Sequence, residues 1–138
     1  MYDGSEEDLL RKTEDAIKEQ RSLGIDVAQL AILSTKGIAH SKLLSLDTLA
    51  GYATKRFTGE FTPDGQPVWT QGVLLLESVY RFKGQSASAV ILTEVDFAEL
   101  SRHERAKLFV GMTRGMLSVS LVLSERAAAL LAAEMQNK

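Results

Sequence analysis

Three near-continuous apolar runs constrain this chain more than any other feature. They are the core of "VAQLAILST" around Leu30–Leu33, "VLLLESV" over Val73–Val79 and "AVILTEV" over Ala89–Val95. A strand with one face in water alternates apolar and polar residues. A run without that alternation belongs to a strand covered on both faces. "MLSVSLVLS", Met116–Ser124, carries apolar residues on both parities and reads as a fourth strand. Segments of helical character separate several of these runs. Strands and helices in that arrangement predict an α/β layered domain with a mainly parallel sheet flanked by helices.

The helical segments have recognisable ends. "SEEDLLRKTEDAIKEQRSLG" (residues 5–24) opens on Ser5 as a cap, with Glu6, Glu7 and Asp8 favouring the N-terminal dipole, and Gly24 can end it. Leu9, Leu10, Thr13, Ile17 and Leu23 trace its apolar stripe. "HSKLLSLDTLAGYA" (residues 40–53) predicts a second helix with Gly51 near its end. "ELSRHERAKLFVGMTRG" (residues 99–115) predicts a third, with Ala106, Phe109, Val110 and Thr113 on one side and Gly115 as the stop. "SERAAALLAAEMQ" closes the chain behind a Ser124 cap. Between the second helix and the Val73 strand, "TKRFTGEFTPDGQPVWTQG" holds both prolines and a Pro-Asp-Gly turn signal. It reads as a long excursion, a hairpin with Trp69 as its anchor.

Composition narrows the function classes. The 138 residues suit one domain, expected over residues 1–138, and no internal linker or repeat divides them. There is no cysteine, and His40 and His103 are far apart, so no metal site is expected. No apolar run approaches the length of about 18 residues that spans a bilayer. The N-terminus "MYDGSEEDLLRK" is acidic, so a cytoplasmic protein without a membrane partner is the expectation. A formal charge of −2 argues against a whole-domain grip on nucleic acid, though not against a local basic strip. No G-x-x-x-x-G-K-[ST] loop occurs. "STKG" at residues 34–37 lacks the upstream glycine and the helix-opening hydroxyl. By itself the chain is expected neither to hydrolyse a nucleoside triphosphate nor to hold a cofactor.

Ligands of parallel sheets bind beyond the strand ends, which directs attention to "SVYRFKGQS". There Arg81 and Lys83 can neutralise phosphates and Tyr80 can stack on a base. The plainer reading is a surface loop with Phe82 buried. Arg114, in "FVGMTRGM", serves either an anion or merely the dipole at a helix C-terminus. Glu94, Asp96 and Glu99 read as a strand exit and a helix cap rather than as metal ligands. His40 reads as a residue preceding a helix, and His103 as a solvated helical residue.

Read together and in order, "VLLLESVYRFKGQSASAVILTEVD", "KLFVGMTRGM" and "LSVSLVLS" resemble the C-terminal half of superfamily 1 helicases of the UvrD/Rep type. That family runs a strand into T-x-H-x-x-K-G-L-E, and later a helix carries Y-V-[AG]-x-T-R-A before another strand. The resemblance implies a three-layer RecA-like second motor domain, a fragment of a larger chain. Its nucleotide lies in a cleft completed by an N-terminal RecA-like domain in cis, which supplies the phosphate-binding loop. The implied cofactors of the complete protein are ATP and Mg²⁺. The resemblance implies an arginine-finger role for Arg114, with Thr113, Gly84, Gln85 and Ser86 beside the nucleotide. It implies contact of Ser78, Tyr80, Arg81 and Lys83 with single-stranded DNA. This sequence departs from the pattern where Gln85-Ser86 replaces Leu-Glu, Tyr80 replaces His and Gly115 replaces Ala. A stand-alone α/β binding module with a decayed motor fold is the alternative, and Ser86 in place of Glu favours it.

Overall fold

The structure, a computed structural model, describes residues 1–82 and 84–136. Its sheet has the strand order β2-β3-β5-β1-β6-β7, with β4 paired to β3 outside that path. The strands are β1 (Leu30–Ser34), β2 (Thr48–Leu49), β3 (Tyr52–Phe61), β4 (Pro67–Trp69), β5 (Leu74–Ser78), β6 (Ala87–Val95) and β7 (Gly115–Leu123). Contacts β3–β5, β5–β1, β1–β6 and β6–β7 are parallel; only the short β2 and β4 pair antiparallel with β3. The three apolar runs therefore form adjacent central strands, and β1 is buried at every position.

Helices and loops cover both faces. On one face α1 (Glu6–Ser22), the loop carrying Leu44, and Leu49 of β2 pack on Leu30, Ile32, Leu74, Leu76 and Ile91. On the other, α2 (Arg102–Met112) and α3 (Glu125–Gln136) pack on Ala31, Leu33, Val90 and Leu92, joined by Val79 and Phe82. This is the mixed α/β, mostly parallel, three-layer architecture expected of a RecA-like domain. Among the described residues no helix is long and apolar enough to cross a membrane.

Most helix boundaries follow the expected caps. The Ser5 side chain accepts from the Asp8 amide, and the Ser124 hydroxyl accepts from the Ala127 amide at the start of α3. Leu9, Thr13 and Ile17 are buried as the stripe requires, and Thr13 meets Thr93 of β6 hydroxyl to hydroxyl at 2.8 Å. Leu23 is the exception. It lies beyond the last helical residue and is exposed.

Two expectations are overturned. Residues 40–53 do not form a helix. Ser41 takes the amides of Leu43 and Leu44 on its hydroxyl, and the Lys42 amide goes to the Glu94 carboxylate, so these donors are withdrawn from any helical ladder. Downstream, Ala50 and Gly51 both have positive φ, and they close the two-residue turn of a β2–β3 hairpin. Leu43, Leu44 and Leu49 are buried all the same. His40 accordingly lies in a turn. The second correction concerns α2, which presents Lys107, Leu108 and Gly111 to the core while Ala106, Phe109 and Thr113 are exposed. The cause is Gly111, which rests on Leu92. A Cβ there would meet the Leu92 Cδ1 at 2.7 Å, so the helix comes closest to the sheet at its one residue without a side chain.

The excursion is a hairpin, as its turn signals predict. β3 and β4 pair around Thr62–Gln66, and Trp69 packs beside Phe57, with ring centroids 6.1 Å apart.

Candidate functional site

Among the described residues, the connection from β5 to β6 passes over β1 without a helix. The segment Val79–Ser86 leaves the C-terminal end of β5 and folds back across the α2–α3 face to reach the start of β6. Parallel strands usually need a longer crossover. Here the loop is held down by Phe82, which is buried in the core, and turned by Gly84 at φ +84°. The predicted loop with a buried Phe82 and the predicted polar motif are thus the same object. Its two ends lie at opposite edges of the sheet.

At the N-terminal edge of the strands, the loop meets the end of α2. The Ala87 amide donates to the Arg114 carbonyl at 3.0 Å, and Ala87 is in register with Gly115. The end of the loop, next to Ser86, is thereby brought to Arg114, although the two lie far apart in sequence. Arg114 is half-buried. Its Nε is sealed from solvent and has no hydrogen-bond partner among the described residues. Thr113 is exposed and donates its hydroxyl to the Val110 carbonyl, capping the helix end. A groove of about 620 Å³ opens at this edge, lined in part by Leu30, Lys55, Gln85, Ser86, Ser88 and Met116. Its serine hydroxyls and glutamine amide, with Lys55 as its cation, suit an anion such as a phosphate.

At the opposite edge stand the residues expected to face nucleic acid. Tyr80 is half-exposed, and its ring stacks against His103 of α2 with centroids 6.5 Å apart. His103 is therefore not merely solvated, since it extends the aromatic surface of Tyr80. The Ser78 side chain is buried and accepts from the Arg81 amide at 3.2 Å. Arg81 lies 3.9 Å above the centre of the Phe57 ring, with its Nε 3.5 Å from Glu77 Oε1. Lys83 lies outside the described residues.

Glu77, Phe57 and His103 are members of this neighbourhood that sequence reasoning did not find. Glu77 is a carboxylate that follows three leucines in an otherwise apolar strand, and that interruption was the available signal. Burial pushes its carboxyl above the ordinary range, against the opposing effect of the Ser78 amide and Arg81. Glu94 and Asp96 have structural roles. Glu94 accepts from Ser34, Ser41 and the Lys42 amide, and Asp96 holds Ser124 and Arg126. Among the described residues no three His, Cys, Asp or Glu side chains are grouped to hold a metal ion.

Residues 74–122 match the family model of the UvrD-like helicase C-terminal domain. No curated protein matches the chain. The matched segment runs from the first residue of β5 almost to the end of β7, and so contains both the Val79–Ser86 loop and the Thr-Arg pair. Over this segment the resemblance to the C-terminal domain of UvrD/Rep-type helicases holds.

Proposed function

We propose, from a segment that is UvrD-like helicase C-terminal in sequence and three-layer α/β in fold, that this chain is the second motor domain of an ATP-dependent superfamily 1 DNA helicase. The observation that carries the reading is the junction at Ala87 and Arg114, where two motifs distant in sequence share one edge of the sheet. In this reading Arg114 reaches the γ-phosphate held by an N-terminal RecA-like domain. Among the described residues Arg114 forms no salt bridge, and this supports that role, because a guanidinium without an internal carboxylate can answer an external anion. Gly84, Gln85, Ser86 and Thr113 border the nucleotide. The accompanying Mg²⁺ finds no ligand set among the described residues and would be held by the partner domain.

The loop then links the nucleotide edge to a strand of DNA at the other edge. Tyr80 offers a stacking surface, while Lys83 and Arg81 offer positive charge. Ser78, being buried, contributes by fixing the turn through the Arg81 amide.

In the complete protein, Arg114→Ala is expected to lower DNA-stimulated ATP turnover by roughly a thousandfold while nucleotide affinity changes only a few fold. Steady-state hydrolysis and equilibrium nucleotide binding, measured side by side, check this. Unchanged turnover in the variant removes the finger role.

A further inference from the structure

The chain folds back on itself immediately after Arg114. Ala87 of β6 lies opposite Gly115 of β7 and Ala89 opposite Ser118, while Ala89–Leu92 and Ser118–Leu121 run in even register. β7 therefore advances three residues where β6 advances two, and one extra residue is held between Gly115 and Ser118. Met116 and Leu117, which hold the surplus, are exposed. Beneath them the backbone closes up. A Cβ on Gly115 would meet the Ser118 carbonyl oxygen at 2.4 Å and the Val119 Cγ2 at 2.6 Å. Gly115 does not have a positive φ, so the position requires space and not a left-handed backbone.

The atoms that a methyl group would strike are held in place. Ser118 and Val119 are laddered to Ala89 and Val90 of β6, both fully buried. The nearest contact is a backbone oxygen, which no change of rotamer can move aside. The side with more freedom is the Gly115 peptide itself, and Arg114 shares that peptide. The Arg114 carbonyl accepts from the Ala87 amide at 3.0 Å, and the Arg114 amide donates to the Gly111 carbonyl at 3.3 Å. Any displacement at residue 115 is therefore passed to the backbone that carries the guanidinium.

We propose that Gly115 is a positioning residue for Arg114. Its lack of a side chain lets the bulge close against it, and the closed bulge fixes where the Arg114 backbone leaves the end of α2. The inference rests on the helicase reading above and accounts for one departure from the family pattern. With an extra residue in β7, the alanine that the pattern carries after Thr-Arg has no room in this chain. Restoring that alanine is expected to misplace the guanidinium, although comparison with the pattern alone would rank it a harmless change.

The test uses the complete protein and three variants: Gly115→Ala, Gly115→Ala with Met116 deleted, and Arg114→Ala. Steady-state ATP turnover, nucleotide affinity and binding stoichiometry are measured for each. Gly115→Ala is expected to lower kcat roughly a hundredfold, the cost of a small misplacement of a catalytic group. Stoichiometry should stay at the native value and affinity should change only a few fold. A merely structural role would lower stoichiometry and turnover together, and that outcome overturns the assignment. Deleting Met116 from the Gly115→Ala protein removes the extra residue and evens the register. It is expected to restore turnover by roughly tenfold or more, and a deletion that restores nothing overturns the assignment. Native turnover in Gly115→Ala beside an inactive Arg114→Ala also overturns it and leaves the helicase reading standing. Native turnover in Arg114→Ala removes the finger role, and this inference falls with it.

Discussion

Asp96 follows the last residue of β6 and has both carboxylate oxygens engaged. Arg126 donates to them at 2.6 and 3.0 Å, and Ser124 donates at 2.6 Å. The Arg126 guanidinium, first among the causes, holds this carboxyl below the ordinary aspartate range. A carboxyl depressed by folding contributes stability while it is ionised and loses that contribution as the pH falls through its folded pKa. Asp96→Asn is therefore expected to lower the melting temperature at neutral pH. The gap to the native protein should close as the pH drops below the ordinary aspartate range. Thermal melts across that range check it, and a gap that stays constant into acid removes the linkage. At this scale the sequence was partly readable. Asp96 and Ser124 could be read as a strand exit and a helix cap, because those roles depend on local backbone donors. The Arg126 partnership could not, since it joins residues thirty positions apart.

α2 shows how an element's orientation is set by a neighbour. Gly111 allows the helix to approach Leu92, and the buried side follows from that contact. Gly111→Ala adds helix propensity of up to about 1 kcal/mol. It also drives a methyl group into a fully buried Leu92, an overpacking that typically costs about 1–3 kcal/mol. A net loss of about 1 kcal/mol is expected in denaturant unfolding. The additional Leu92→Val change should partly relieve the clash. A stabilised Gly111→Ala protein would show that Leu92 yields freely. The existence of α2 follows from local signals, but its ends differ from the expected 99–115, with Ser101 as its cap, Met112 as its last helical residue and Gly115 opening β7 instead of stopping the helix. Its facing did not follow from such signals, because apolar Phe109 competes with glycine in any periodicity argument and tertiary contact favours the glycine. The segment at residues 40–53 differs from expectation for a related reason. Its amides are captured by Ser41 and by Glu94, a residue some fifty positions away.

For the whole molecule, burial is concentrated in β1 and the adjoining stretches of β5 and β6, while β7 is a mostly half-buried edge. Native-state hydrogen exchange is expected to be slowest for β1 and the Ala89–Val95 part of β6. It should be markedly faster for β7 and for the outer half of the β3–β4 hairpin. Uniform protection across the sheet would contradict this layering. The same architecture brings the end of the loop, next to Ser86, to Arg114 and leaves Tyr80 at the other edge. By itself the sequence determined the class of fold, because uninterrupted apolar strands have to be covered on both faces. It also determined the motif order that the UvrD-like match repeats. The tertiary structure alone decided which motif ends meet, which face of α2 is buried, and that Gly115 closes against Ser118 and Val119. Those facts depend on strand order and register, and hydrophobic periodicity within a single segment carries no information about which strand will lie beside it.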